Sequence, residues 1–562
     1  MTYDDKVWLK QYDSGVPTAL TYPKMPLYGF LEHSVATYPQ NRALSYLGND
    51  IDYAELDTLV NKAANALLKL NVQPGDRVAL YLANTPQFII SLYAVLKIGA
   101  IAVPINPLYK ADEVAYELND AGVKTVIVMS RFYPLIQQIR EKTVLENVIV
   151  TNVKAYFPWL TRLLFTLLKE KEDRVEIAEG DHEFEMLMEQ SASDRPDVTV
   201  NPDNIALLQY TSGTTGTPKG VMLTHYNLVV NALQCRNWVS DTVEGEERVL
   251  GWLPFFHSFG MTACLGFTMS CAGALILIPN PHDLGYILKT IEKEKITMMP
   301  GVPTMYAALG RYEEISKYEL GSIRACISGG APLMESVKKR FVELTGSKLV
   351  EGYGLSEAAP VTHANPINGL NKADSIGIPM PDTQSRVVDL ESGEREVPIG
   401  EEGELIVKAP QVMKGYWNQP EMSDEAIREG WLYTGDVVTM DEEGYYRIVD
   451  RKKDIIIVKG FNVSPTEVEK VICLHPKVED AAVVGIPNEE RGEEIKAFVV
   501  LKEGEKMDEA ELFGYLSEKL ARFKLPRAIE FVDTLPKNVM GKLLRRILLE
   551  EELRKRNGAS NG

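Results

Sequence analysis

Residues 209 to 225 read QYTSGTTGTPKGVMLTH, a run crowded with hydroxyls, glycines and a lysine. Thr211, Ser212, Thr214 and Thr215 offer donors, Gly213 and Gly216 let backbone amides close around an anion, and Lys219 adds a point charge. That chemistry suits a polyphosphate. The order is not that of a Walker loop, because Pro218 precedes Lys219 and Gly220 follows it, where that loop requires Ser or Thr. A flexible Ser/Thr/Gly linker has a similar composition, but the apolar, strand-like segments IALLQY and VMLTH adjoin this one on both sides.

Groups suited to a bound anion or its counter-ion recur downstream: Glu357 in EGYGLSE, Asp436 in GWLYTGD, Arg451 and Lys453 in DRKKD, and Lys542 in NVMGKLLRR. Taken singly, each has an ordinary explanation. A lone Glu faces solvent, a turn Asp bonds its own backbone, and a basic tail is a solvated surface. His257, in WLPFFHSFG, has no His or Cys at ligand spacing, so its neighbourhood does not indicate a metal site. The five cysteines are odd in number and contain no C-x-x-C pair, which argues against a disulfide framework or a zinc site.

These groups must be positioned by a chain of 562 residues, 45% hydrophobic and 25% charged, the composition of a globular enzyme with at least two domains. A net charge of −19 draws in neither nucleic acid nor anionic lipid. Anionic ligands must therefore be held by local groups. Strand and helix patterns alternate over the first 350 residues: VALYLA, PQFIISLYAVLKIG and IAVPI; KTVIVM; a helix over 283–293 before TMMPG; then IRACISGG, a helix over 333–345 and SKLVEGYG. This order predicts α/β architecture on mainly parallel sheets, with ligands at the glycine-rich carboxyl ends of the strands. Across 375–449 turn residues arrive about every 8 to 12 positions, which predicts a small, barrel-like β module. From 450 to 562 a mixed pattern predicts a small α+β domain. Two uncharged runs, 78–96 and 249–282, are broken by prolines, glycines and polar residues, so the second reads as buried loop, short helix and strand instead of a membrane span. The N-terminus carries acids where a signal peptide would be basic, and a reducing, cytoplasmic setting is expected.

Six further motifs follow the loop in order: WLPFFHSFG, SGGAPL, EGYGLSE, GWLYTGD, DRKKDIIIVKGFNVSPTEVE and LPKNVMGKLLRR. Together with YTSGTTGTPKGVMLTH they resemble the signatures of the acyl-adenylate-forming superfamily of acyl-CoA synthetases, peptide-synthetase adenylation domains and beetle luciferases. The DRKKD form resembles bacterial-type long-chain fatty acid CoA ligases in particular. The resemblance implies ATP, Mg²⁺ and CoA: a carboxylate attacks ATP to give acyl-AMP and pyrophosphate, then the CoA thiol displaces AMP. It also implies residue roles. Thr211 to Gly216 and Lys219 cradle phosphate, Glu357 and Thr214 hold Mg²⁺ as hard oxygen ligands, and Tyr353 faces Gly330, Ala331 and Pro332 across the adenine. Gly354 and Ser356 join the nucleotide contacts, Ser356 keeping the hydroxyl of the threonine usual there. Asp436 grips the ribose with Arg451 beside it. Lys542 bridges the attacking carboxylate and the α-phosphate, on a loop where Asn538 replaces the commoner Thr or Ser. Lys453 is the pivot between a large domain, 1–449, and a small mobile one, 450–562. Phe256, His257 and Gly260 line the acyl pocket, with Gly260 and Gly266 leaving room.

Residues 155 to 171, AYFPWLTRLLFTLLKEK, place Trp159, Leu160, Leu163, Leu164, Leu167 and Leu168 at helical spacing beside Arg162, Lys169 and Lys171. Such a helix either docks on the protein's own body or lies on the inner face of a membrane. Other expected partners are small molecules; no nucleic acid is expected and a homodimer is left open. The same chemistry on a medium-chain or aryl acid, transfer to a carrier protein, and a non-catalytic lipid-binding protein on the same fold are the alternative readings.

Overall fold

A computed structural model describes residues 2–168, 170, 173–211, 218–458, 461–488, 492–538 and 540–559. One eight-stranded sheet runs in the order Gly415–Tyr416, Lys219–Thr224, Ile205–Thr211, Ile101–Pro104, Arg77–Tyr81, Thr125–Met129, Asn147–Thr151 and His182–Glu183. From Ile205–Thr211 to His182–Glu183 every pairing is parallel. Its inner strands are buried apolar runs, as a sheet covered on both faces requires. The two strands flanking the glycine-rich loop are antiparallel, with Thr211 opposite Lys219. These two strands are consecutive in the chain.

A second group of strands starts from Arg42–Tyr46, Ala274–Leu277 and Arg248–Gly251, all parallel, and continues into Ala325–Ser328 and Lys348–Gly354. The TMMPG segment, read from sequence as a strand, joins them only through isolated parallel bridges at Met298 and Gly301. Pro300 between them has no N–H to donate, which interrupts a regular ladder. The uncharged run 249–282 folds as a buried π-helical turn, Gly260–Gly266, the short helix Phe267–Ser270 and the strand Ala274–Leu277. Among the described residues no helix is long and apolar enough to cross a membrane.

Residues Gln384–Val388, Gly403–Lys408, Trp431–Met440, Ile427–Arg428 and Tyr446–Arg451 form a five-stranded antiparallel sheet in which Asp436 lies opposite Arg451. The last sheet orders Phe461–Val463, Ile456–Val458, Gly492–Leu501 and Val478–Asn488, with Ala528–Phe531 alongside. It packs a separate core that includes Val468, Ile472, Val483, Val499, Leu512 and Leu516. Its first helix, Pro465–Cys473, starts with Ser464 as N-cap and proline at the first turn, the arrangement that leaves fewest amides unpaired. Asp450 reaches that helix start, accepting from the Ser464 hydroxyl at 2.6 Å and from the Thr466 amide at 2.9 Å.

Gly377 shows what holds the second group of strands to the antiparallel sheet. Its φ is +90°, its carbonyl accepts from the Tyr446 amide at 2.9 Å, and a Cβ there would lie 2.0 Å from the Ala364 carbonyl carbon. Gly377→Ala is expected to cost about 3 kcal/mol of stability through this collision. Gly400→Ala, with φ +93° and open space around it, is expected to cost only about 1 kcal/mol of backbone strain. Thermal unfolding of the two variants distinguishes collision from strain.

Candidate active site

Asp436 lies at the meeting point of three segments. Burial of a carboxylate is tolerated only with partners, and Asp436, 4% exposed, has two. The Tyr353 hydroxyl donates to Oδ2 at 2.5 Å and the Arg451 Nε lies 3.1 Å from Oδ1. Asp436 therefore does more than stabilise its own turn, although its amide does bond the Thr434 hydroxyl at 3.1 Å. The Asp436 charge raises the Arg451 pKa, while burial and then Asp436 push the Tyr353 phenol well up. Tyr353 also stands edge-on to the buried His363, 5.9 Å between ring centroids.

Gly330, Ala331 and Pro332 follow the strand Ala325–Ser328 as an open ledge, Gly330 with φ +82°. Gly354 is required by packing, since a Cβ there would lie 2.0 Å from the Pro360 carbonyl oxygen. Ser356 and Glu357 form a short turn just beyond. The Ser356 hydroxyl is 3.1 Å from that of Ser258, and Glu357 Oε1 accepts from the Tyr416 hydroxyl at 2.9 Å. Lys219 places Nζ 5.0 Å from the Tyr416 ring centroid. Ser212, Gly213, Thr214, Thr215 and Gly216 lie outside the described residues, so only Thr211 and Lys219 of the loop are placed.

Lys542 approaches from the far side of the cleft. Asn538 Oδ1 accepts from the amides of Met540 and Lys542 at 3.0 and 2.9 Å, so the asparagine shapes the turn. The turn lies against the body of the protein: a Cβ on Gly541 would be 3.0 Å from Thr304, and one on Gly330 would be 3.8 Å from Met540. Lys542 is exposed to solvent, and Arg451, Asp436, Asp454 and Lys453 are close enough to act on its charge. Desolvation, followed by repulsion from Arg451, lowers its pKa to about 8.

His257 faces the same space. Its Nδ1 accepts from the Phe259 amide at 3.2 Å, and desolvation together with nearby Lys542 lowers its pKa to about 4, so the ring is neutral at pH 7. The Phe256 carbonyl accepts from the Gln209 side-chain amide at 2.7 Å. Gly260 does not leave room for a ligand; the Pro254 carbonyl fills that space, 2.2 Å from where a Cβ would stand. Lys453 pairs with Asp454 at 3.9 Å and lies close enough to Lys542 to repel its charge, whereas Lys452 is anchored to Glu404 at 2.8 Å. Tyr416 and Gln209 were not singled out from sequence. KGYWNQPE carried the only hint of Tyr416, an aromatic in a glycine turn, and Gln209 directly precedes Tyr210 at the loop's entry.

A glycine-rich ledge, a buried carboxylate and a lysine on a docked turn can be set beside what comparison with known proteins finds. The AMP-binding enzyme family matches residues 31–417, and the AMP-binding enzyme C-terminal domain matches 467–542. The chain belongs to the AMP-binding enzyme family. A long-chain-fatty-acid–CoA ligase of Bacillus subtilis (strain 168) is 44% identical over 551 residues, 97% of this chain and 98% of that one. ATP-bound MatB from Rhodopseudomonas palustris superposes with a TM-score of 0.83 at 30% identity, over 94% of this chain and 99% of that one. Apo MatB from the same organism, at the same identity and coverage, gives 0.72. The arrangement of parts here, with Lys542 turned into the cleft, is thus nearer to that of the ATP-bound protein.

The lowered pKa of Lys542 can be tested directly in this AMP-binding enzyme. Amine-selective labelling of Lys542, read by peptide mass spectrometry, is expected to rise through a midpoint near pH 8, the value for the docked turn. Arg451→Gln is expected to move the midpoint up, because it removes a like charge and releases Asp436 to favour the ammonium. A midpoint near 10.5 in the unmodified protein would mean that the turn is not docked.

Proposed function

We propose that the protein is a long-chain fatty acid–CoA ligase, forming acyl-AMP and pyrophosphate from a fatty acid and ATP and then acyl-CoA and AMP. The observation that carries this reading is Lys542 standing in one cleft with the Tyr353–Asp436–Arg451 cluster and His257. The 44% identity to a ligase of that name over 97% of the chain supports the choice of acid. Tyr353 and the ledge of Gly330, Ala331 and Pro332 bracket the adenine. Asp436, an ionised acceptor already oriented by Tyr353 and Arg451, takes the ribose hydroxyls. The loop from Thr211 to Lys219, together with Gly354 and Ser356, receives the phosphates.

Glu357 and Thr214 would hold Mg²⁺. The fit rests on the donor set: Glu357 Oε2 has no partner among the described residues, whose carboxylates, His and Cys form no cluster of three able to hold a metal alone. That arrangement suits a hard ion which completes its shell with phosphate and water. Bound there, Mg²⁺ would neutralise phosphate charge. Lys542 supplies a fixed positive charge between the attacking carboxylate and the α-phosphate, two anions that otherwise repel. His257, being neutral, orders the neck of the acyl site next to Phe256 without adding a second cation. Residues 450–562 then turn as one domain relative to 1–449 about Lys453, withdrawing Lys542 and admitting the CoA thiol.

AMP, not ADP, is the expected nucleotide product, with kcat/KM rising as the acid lengthens from acetate towards palmitate and low turnover of benzoate. Lys542→Ala is expected to cut fatty-acid-dependent ATP–pyrophosphate exchange by about 100-fold or more while sparing thioester formation from supplied acyl-AMP. Equal loss of both half-reactions would remove Lys542 from its role.

The same reading includes a peripheral membrane contact in a cytoplasmic setting. Helix Trp159–Leu168 has no buried residue; Trp159, Leu167 and Leu168 are 78%, 71% and 76% exposed. It touches the body through Phe165, 5.3 Å from Phe157. Its apolar stripe therefore faces away from the protein, where dissolved fatty acid would reside; Lys169 and Lys171 lie outside the described residues. Leu163→Glu with Leu167→Glu is expected to abolish co-sedimentation with phosphatidylglycerol vesicles and leave turnover of detergent-dispersed acid unchanged. A lipid-independent dimer dissolved by the same changes would assign the face to a homodimer.

A further inference from the structure

Tyr416 belongs to none of the groups just described, yet it touches two of them. It lies on the two-residue strand Gly415–Tyr416, the edge of the eight-stranded sheet, paired to Met222 and Val221 on the strand that leaves the glycine-rich loop. The flanking backbone tightens this attachment: Lys414 donates to the Met222 carbonyl at 3.0 Å and Trp417 to that of Gly220 at 2.7 Å. On its other side the Met413 amide donates to the Glu357 carbonyl at 2.8 Å. The Tyr416 amide donates to the Ser423 hydroxyl at 2.8 Å, which fixes the strand end. Tyr416 is buried, and its side chain is held between two charges. Its hydroxyl donates to Glu357 Oε1 at 2.9 Å, and Lys219 Nζ sits 5.0 Å from its ring centroid.

The geometry makes the phenol the donor and the carboxylate oxygen the acceptor. A donor engaging Oε1 restricts how the carboxylate can turn and leaves Oε2 for another partner. The ring, meanwhile, has Lys219 Nζ over its face, 5.0 Å from the centroid, and among the described residues that lysine forms no ion pair with Glu357. Without the ring, the flexible lysine would be free to neutralise the carboxylate before any ligand arrives.

We propose that Tyr416 is a positioning residue which presets Glu357 for the divalent cation accompanying the nucleotide and keeps Lys219 and Glu357 apart. This rests on the reading of Glu357 as the metal carboxylate. Partners that orient a metal-binding carboxylate typically account for 10–100-fold in metal affinity.

Calorimetric titration of the full-length protein with ATP, in EDTA and at stepped Mg²⁺ concentrations, tests this without turnover. Tyr416→Phe keeps the ring and loses the donor. It is expected to leave ATP affinity in EDTA within about twofold while raising the Mg²⁺ concentration for half-maximal tightening about tenfold. Tyr416→Ala also removes the spacer and is expected to weaken ATP binding in EDTA itself; unchanged binding would overturn the spacer role. Glu357→Gln is expected to lose the Mg²⁺-dependent tightening. If it does, but Tyr416→Phe retains the unmodified Mg²⁺ requirement, the positioning role is wrong and the reading of Glu357 stands. If Glu357→Gln keeps the tightening, the reading of Glu357 fails and the inference fails with it.

Discussion

Asp436 can be buried only because two partners from different parts of the chain reach it. The Tyr353 hydroxyl comes from the end of a mainly parallel group of strands, and the Arg451 side chain from the last antiparallel strand, where the following domain begins. Removing either would leave a charge in a low-dielectric site with half its compensation. The carboxylate thereby ties these two layers together at one point. Gly377 serves the same junction from behind, where its carbonyl meets Tyr446.

The charge balance of the cleft opposes that of the whole molecule. The chain carries −19 overall, whereas Arg451 stands close enough to disfavour protonation of both Lys453 and Lys542. Gathering cations costs stability in the free protein and becomes favourable when anions enter, since repulsion in the empty site is relieved on binding. Salt at physiological strength screens the outer field within roughly 8 Å, so the local cluster, not the net charge, is what an approaching nucleotide meets.

Much of this was legible in sequence where the determinants are local. Alternating apolar segments gave strands and helices in order, and the turn-rich stretch after Asp374 became an antiparallel sheet. Local patterns failed where a distant atom decides the outcome. Gly260 reads as space for a ligand, but the Pro254 carbonyl takes it. TMMPG reads as a strand, but Pro300 removes a donor and leaves isolated bridges. Tyr416 acquires its meaning from a glutamate 59 residues away, a separation over which no periodicity carries information. For the stripe of helix Trp159–Leu168, spacing gave the apolar face but not its direction, because both orientations satisfy the same pattern.

The turn that carries Lys542 has a further consequence. Asn538 closes it internally, through bonds to the Met540 and Lys542 amides and from its own amide to the Lys542 carbonyl. It is attached to a unit whose apolar core is its own. Its Met540, 3% exposed, also packs into the core of the larger body. The conformational entropy of ordering it is lost once, at folding, instead of at every approach of substrate. A lysine mounted in this way keeps its place on the turn before any ligand arrives, so the turn and not the side chain sets where its charge stands.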